Sequence, residues 1–561
     1  MRKKIFALLL CLALLLSVIP MPASAAAPEV NKDALLAVLY EAELSELKLA
    51  LDAGVITSVE LTRYYLDRIE AYNKDYNCFI TMCDGALEAA AQRDQQRKEG
   101  KAEGLLFGIP VVVKDNMDVA GYHTTNGFKK NSSQIAKDNA DVVTYLLQEG
   151  AVIIAKANMS TEAQDARRSS SQAVGETKNA YSKYMAAGGS SGGSAVSTSL
   201  NFTAAALGTD TNSSLRIPAA LAGCVSLRPT FGLISVKGIK KLNGTRDVPG
   251  AITRTVSDQA IMLDVLTEGK YGYRENLNGN RLEGMRIGVL KQLSYAITAT
   301  GTRSEQNIDD EVAAAFENAR RELEACGAEV VDVSMSNLFT LSDKTFANNA
   351  QAPKDALYEA FAAFLAENDI EAVVYPTYLS TPIRTGRDAS GQYWDAYSQL
   401  YLNNCRTLSP CAGLPEISVP IGIHSLGAGI GMEIASLKNS EQLLLDIAYS
   451  YTSRYDHRQV PDGAPNQYEA AAGADVETVV KGLSVAMGVA ARLANVSAEN
   501  FSLKKARFLP QTPTAVPVSL PVIPFVILGI GLLAAAGILL AAAGRARRKR
   551  KRRKRQPLKL D

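Results

Sequence analysis

Apolar and polar positions alternate along this chain with two different periods. From residue 33 to 76 the spacing is helical, as in Ala34, Leu35, Leu36 and Leu39, then Val59, Leu61, Tyr64 and Tyr65. Thr57 or Ser58 caps the second helix of that stretch. Short apolar runs at 109–113, 152–155, 204–208, 285–289, 330–333 and 372–375 read as buried strands. Helical segments separate them, and residues 310–325 form one. Alternation of this kind predicts an α/β fold on a largely parallel or mixed central sheet.

The two ends follow other patterns. Residues 1–25 open on Arg2, Lys3 and Lys4, continue as an apolar run and close on Ala23, Ser24 and Ala25, the layout of a signal peptide cut after Ala25. Residues 520–543 carry no charge; at about 1.5 Å rise per residue such a helix crosses a bilayer core of about 30 Å. The basic tail 544–561 belongs on the cytoplasmic side, which places the main domain outside. Residues 463–508 read as a helical stalk, Ala-rich at 464–474 and amphipathic at 476–494. Residues 509–519 form a Pro-rich juxtamembrane segment that starts Leu509-Pro510-Gln511-Thr512-Pro513. That motif, an apolar helix and a basic tail, in this order, resemble a sortase sorting signal. Pro513 stands where such signals have glycine, so sortase would have to cut a Thr–Pro bond, and the segment is read as a spacer. The expectation is an exported protein held at the cell surface.

The formal net charge of +2 hides an asymmetry. The first four residues contribute +3 and the tail from Arg545 contributes +10, which leaves −11 for everything between. An acidic central domain is a poor partner for nucleic acid, since phosphate contacts need Lys and Arg. Six of the seven cysteines lie beyond residue 25. They are too few for a disulfide framework, although Cys78/Cys83 and Cys405/Cys411 are near in sequence and an oxidising exterior permits pairing. Most are expected to be small buried apolar residues. His123, His424 and His457 are the only histidines, and no metal-ligand spacing is present.

The chemistry concentrates in two Ser/Gly loops. The first is Gly188-Gly189-Ser190-Ser191-Gly192-Gly193-Ser194; the second is Gly208-Thr209-Asp210-Thr211-Asn212-Ser213-Ser214, followed by Leu215-Arg216. A helix-length segment joins them. Upstream, Gly108-Ile109-Pro110-Val111-Val112-Val113-Lys114 ends a short apolar strand on a lysine. Gly192-Gly193-Ser194 lacks the following Lys-Ser/Thr of a phosphate-binding P-loop.

This ordered set resembles the amidase signature family of serine hydrolases, which includes fatty acid amide hydrolase, peptide amidases and the A subunit of glutamyl-tRNA amidotransferase. The likeness covers 108–118, 141–163, 188–196 and 208–232, then fades towards 462. It implies one large domain over 30–462, with a mixed sheet flanked by helices, and no cofactor. It implies a Ser–cis-Ser–Lys triad: Ser214 as nucleophile with Ser213 its rival, Ser190 as bridging serine and Lys114 as base. A serine needs a nearby base to act as nucleophile, and a lysine serves as one only when desolvation depresses its pKa. The backbone N–H groups of Thr211, Asn212, Ser213 and Ser214 would face the oxyanion. Asp210 and Arg216 would be structural charges. The family has Gly-Gly where this chain has Asn212-Ser213; Asn tolerates left-handed backbone better than Ser does.

The implied activity is hydrolysis of a small-molecule or peptide amide at the cell surface. An alternative is a catalytically impaired binding protein on the same scaffold. An amidotransferase subunit fits poorly, because export separates the chain from tRNA. His123 is read as a structural or pocket residue. Residues 338–402 are expected to be variable loops that set selectivity, with Tyr393, Trp394 and Tyr397 as pocket candidates.

Overall fold

The computed structural model describes residues 36, 39–129, 134–294, 296–297, 303–304, 308–348, 351–380, 382–387 and 405–467. The expected signal segment, most of the stalk, the Pro-rich segment, the apolar span and the basic tail lie outside them, as do Tyr393, Trp394 and Tyr397. No helix among the described residues is long and apolar enough to cross a membrane.

One mixed sheet of eleven strands organises the described domain. In chain order these are β1 (Phe79–Met82), β2 (Pro110–Lys114), β3 (Val152–Ala157), β4 (Ala205–Asp210), β5 (Val225–Arg228), β6 (Val248–Thr253), β7 (Arg286–Leu290), β8 (Glu329–Val333), β9 (Ala372–Pro376), β10 (Glu416–His424) and β11 (Ala428–Ala435). Their order across the sheet is β1-β3-β2-β4-β6-β5-β10-β11-β9-β7-β8. β3, β2 and β4 run parallel, as do β9, β7 and β8; the remaining pairs are antiparallel. The six strands expected from sequence are all present, with ends displaced by one or two residues.

Helices pack on this sheet. Thr57 caps Ser58–Tyr76: its hydroxyl accepts from the Glu60 N–H, and the Glu60 carboxylate accepts from the Thr57 N–H. Leu61, Tyr64, Tyr65 and Ile69 line the buried face. Arg68 on the same helix is buried too and donates to the carbonyls of Leu200, Asn201, Ala464 and Pro465. The start of the expected stalk therefore lies against this helix. Helix Asp310–Ala325 has the bounds the sequence predicts, with Asp309 capping it.

One expectation changes. Residues 338–402 begin not as loops but as helices Leu338–Asn348 and Gln351–Glu367, then β9. Leu357, Phe361, Phe364 and Leu365 recur at helical spacing and bury in a core cluster with Leu290, Val373 and Leu414. Cys78, Cys83, Cys224, Cys326, Cys405 and Cys411 are all buried, and none forms a disulfide.

Candidate active site

β2 and β4 are parallel neighbours, so their C-terminal ends open at one edge of the sheet. β2 ends on Lys114 and β4 on Asp210. The chain leaves β4 through Thr211–Leu215 and enters helix Arg216–Leu221. Helix Gly192–Ser199 lies against β4, and the Gly/Ser loop before it carries Ser190. The Gly189–Ser190 peptide is cis. A Cβ on Gly189 would fall 2.2 Å from the Asp165 carbonyl oxygen and 2.6 Å from that of Arg168, so the approach of these loops requires glycine.

Lys114 is wholly buried, behind the equally buried Val111, Val112 and Val113. Its Nζ donates to Ser190 Oγ at 2.6 Å, and to Ser191 Oγ and Thr209 Oγ1 at 2.9 Å each. Among the described residues no carboxylate lies within ion-pair distance of it. Burial lowers its pKa to about 7, against the opposing pull of Asp210 and Asp247. Near neutrality a large share of this lysine is therefore an uncharged amine.

Ser214 sits on the loop after β4, with 5% of its surface exposed. Its hydroxyl makes no hydrogen bond to the described residues, and none joins it to Ser190; the two serines lie on the loops that follow β4 and precede helix Gly192–Ser199. The backbone N–H groups of Thr211, Asn212, Ser213 and Ser214 likewise donate to no acceptor among the described residues. Neither Asn212 nor Ser213 adopts a left-handed backbone. Replacing the family's glycines therefore carries no penalty of positive φ, which corrects the expectation drawn from sequence.

The loop is pinned by charge. Arg216 pairs with Asp210 at 3.1 Å, with Glu416 at 2.8 Å and with Glu433 at 2.9 Å, all fully buried. It also donates to the carbonyls of Asn212 and Cys405. Arg228 reaches both the carboxylate and the carbonyl of Asp210. Burial alone would raise the Asp210 carboxyl, but Arg216 and Arg228 hold it below the usual range. Burial raises Glu433 well above it, against Arg216. Thr211 donates to Asp247 Oδ1 at 2.6 Å, and Asp247 Oδ2 accepts from the N–H groups of Leu242 and Asn243.

A second buried lysine lies nearby. Lys156 stands 3.5 Å from Asp115 and donates to Thr124 Oγ1 and to the His123 carbonyl. His123 thus enters this neighbourhood through its backbone. A narrow cleft lined by Asn116, Thr209, Thr211, Ile239, Asp247 and Pro249 opens beside the hydroxyls. The sequence reading singled out neither Ser191 nor Thr209 as partners of Lys114. Their signal was present, since both lie within the two loops. Glu416, Glu433, Arg228 and Asp247 had none, being remote in sequence.

An α/β scaffold that gathers a buried amine, several hydroxyls and a row of free amides at one sheet edge defines a class of amide-cleaving hydrolase. The Amidase family profile matches residues 60–348, just over half of the chain, and the chain belongs to that family. The A subunit of the glutamyl-tRNA(Gln) amidotransferase of Caldanaerobacter subterraneus subsp. tengcongensis is 29% identical over 492 residues, spanning 74% of this chain and 97% of that protein. Mandelamide hydrolase of Pseudomonas putida is 29% identical over 481 residues, spanning 73% of this chain and 90% of that protein. The structure of the peptide amidase from Stenotrophomonas maltophilia superposes with a TM-score of 0.61 at 26% identity, covering 75% of this chain and 99% of that one. The chain is an enzyme of the amidase type, a hydrolase of linear amide C–N bonds.

Proposed function

We propose that this enzyme cleaves a small-molecule or peptide amide through Ser214, Ser190 and Lys114. One observation carries the reading: a wholly buried lysine, lowered to about 7, with its amine 2.6 Å from Ser190 beside the Ser214 loop. Neutral Lys114 takes the Ser190 proton while Ser190 takes that of Ser214. Ser214 Oγ bonds to the carbonyl carbon, and the carbonyl electrons move onto oxygen. The N–H groups of residues 211–214 stabilise that oxyanion. The proton returns along the same path to the leaving nitrogen, the C–N bond breaks, and an acyl-serine remains. Water then attacks the ester by the same route and frees the acid and Ser214.

This reading places the enzyme outside the cell, exported by residues 1–25 and retained by residues 520–543, on the sequence patterns given above. One relative is a subunit of a glutamyl-tRNA(Gln) amidotransferase. A transfer role here would set the chain beside tRNA, against its export signal and its acidic central region. Labelling with a fluorophosphonate probe tests the site: the wild-type chain reacts and Ser214→Ala does not. Labelling retained in Ser214→Ala removes that residue as nucleophile. Proteolysis of intact cells tests the topology, which is reversed if the domain is protected while the basic tail is cut.

A further inference from the structure

The segment Thr245-Arg246-Asp247 faces the nucleophile loop on one side and a group of cations on the other. Asp247 accepts from Thr211 on the loop, and the Arg246 carbonyl accepts from Arg228, which also holds Asp210. The Arg246 side chain is 8% exposed, yet its Nε and Nη1 are buried and have no hydrogen-bond partner among the described residues. Its guanidinium lies 4.3 Å from the centroid of Phe346, and the exposed Arg406 lies 5.0 Å from the same ring. Lys354, 3% exposed, donates to the Thr245 carbonyl. Burial, together with Arg228, Arg246 and Lys438, pushes Lys354 down to about 8.

No carboxylate among the described residues forms an ion pair with Arg246, Arg406 or Lys354. Asp247, next to Arg246 in the chain, has its oxygens taken by Thr211, Leu242 and Asn243. Buried donors of a charged group are ordinarily matched by an acceptor. A guanidinium with two nitrogens unmet among the described residues, beside further cations, leaves a position suited to a planar anion.

We propose that Arg246, assisted by Arg406, binds a carboxylate carried by the amide substrate, so that the enzyme prefers anionic amides to neutral ones. The inference rests on Ser214 as nucleophile. It is specific to this segment and goes beyond the shared acyl-transfer chemistry.

The test uses pairs of fluorophosphonate probes, over a short series of chain lengths, that end either in a free carboxylate or in its methyl ester. Labelling rates are read on the full chain. The expected result is an acid-to-ester rate ratio of about tenfold or more for one chain length. That ratio falls towards one in Arg246→Gln and in Arg406→Gln, and falls with added salt. Arg406 is exposed, so its variant keeps the test open if Arg246→Gln fails to fold. A wild-type ratio near one at every length overturns the anion site, as does a ratio that survives in the folded variants; Ser214 then keeps its role. No labelling by any probe, or labelling retained in Ser214→Ala, removes the nucleophile assignment and this inference with it.

Discussion

Lys114 and Ser190 stand 76 positions apart in sequence and 2.6 Å apart in space, in a pocket with no water-exposed lysine surface. The base form of Lys114 exists above about pH 7. Turnover is therefore expected to rise with pH through that value and to level off above it, provided that chemistry limits the rate. A pH profile of kcat/KM between 5 and 9 checks this. Lys114→Ala is expected to lower turnover by several orders of magnitude, on the order of 10³ or more, while circular dichroism remains native.

The same shift has a signature in stability. The folded state loses the Lys114 proton near pH 7, whereas the unfolded chain keeps it to about 10.4. Across that window the unfolded state binds more protons, so this group stabilises the fold as pH rises. The contribution is complete above the unfolded value and is lost as pH falls to about 7. Its slope is about 1.4 kcal/mol per pH unit. Lys114→Met is expected to remove that slope, measured as the difference from wild type in urea denaturation between pH 7 and 9.

Arg216 is the sole cation shared by Glu416 and Glu433 and one of two on Asp210 among the described residues. Arg216→Met strands buried carboxylates and is expected to cost about 3–5 kcal/mol. Arg216→Lys recovers only part of this, because a point charge cannot fork to three acids. Chemical denaturation of both variants measures the difference.

Gly189→Ala puts a methyl against two carbonyl oxygens of another loop. The strain is expected to cost about 1–3 kcal/mol and to displace Ser190. Slower fluorophosphonate labelling, together with a lower urea midpoint, checks it.

Asn212 and Ser213 hold ordinary negative φ. Restoring the family's pair with Asn212→Gly and Ser213→Gly is therefore expected to give no gain in labelling rate. It should lose about 0.4–1 kcal/mol per position through the freer unfolded chain. A marked gain in rate would show that the side chains obstruct the site.

Much of this arrangement is legible in the chain. Helix Asp310–Ala325 and the Thr57 cap are local: apolar spacing, Asp309, and the Thr57/Glu60 pair define them without tertiary help. The strand ends are not local. β4 continues to Asp210 because β6 pairs with it that far. The β10–β11 hairpin escapes the apolar pattern, since Pro420, Gly422, Gly429 and Gly431 interrupt it. Gly429 is there because a Cβ would fall 2.1 Å from the Ala220 carbonyl. Glu416 and Glu433 carry no local signal of their role, because the buried cation between them, Arg216, lies some 200 positions away in sequence. Lys114 stood out through its apolar strand and the motif around it; the depth of its burial follows from β3 and β4 on either side.

Three hydroxyls surround one amine at the end of β2. An ammonium can satisfy all three, but a neutral amine has two N–H bonds and a lone pair. Deprotonation thus obliges one hydroxyl to turn round and donate. Ser191 already directs its proton to the Thr209 carbonyl, and Thr209 Oγ1 is a shared acceptor of Lys114 and Asn116. Neither the Ser190 nor the Thr209 hydroxyl donates to an acceptor among the described residues, so either O–H is free to swing towards nitrogen. The pocket can pass between its two protonation states by rotating a single bond, with every heavy atom left where it stands.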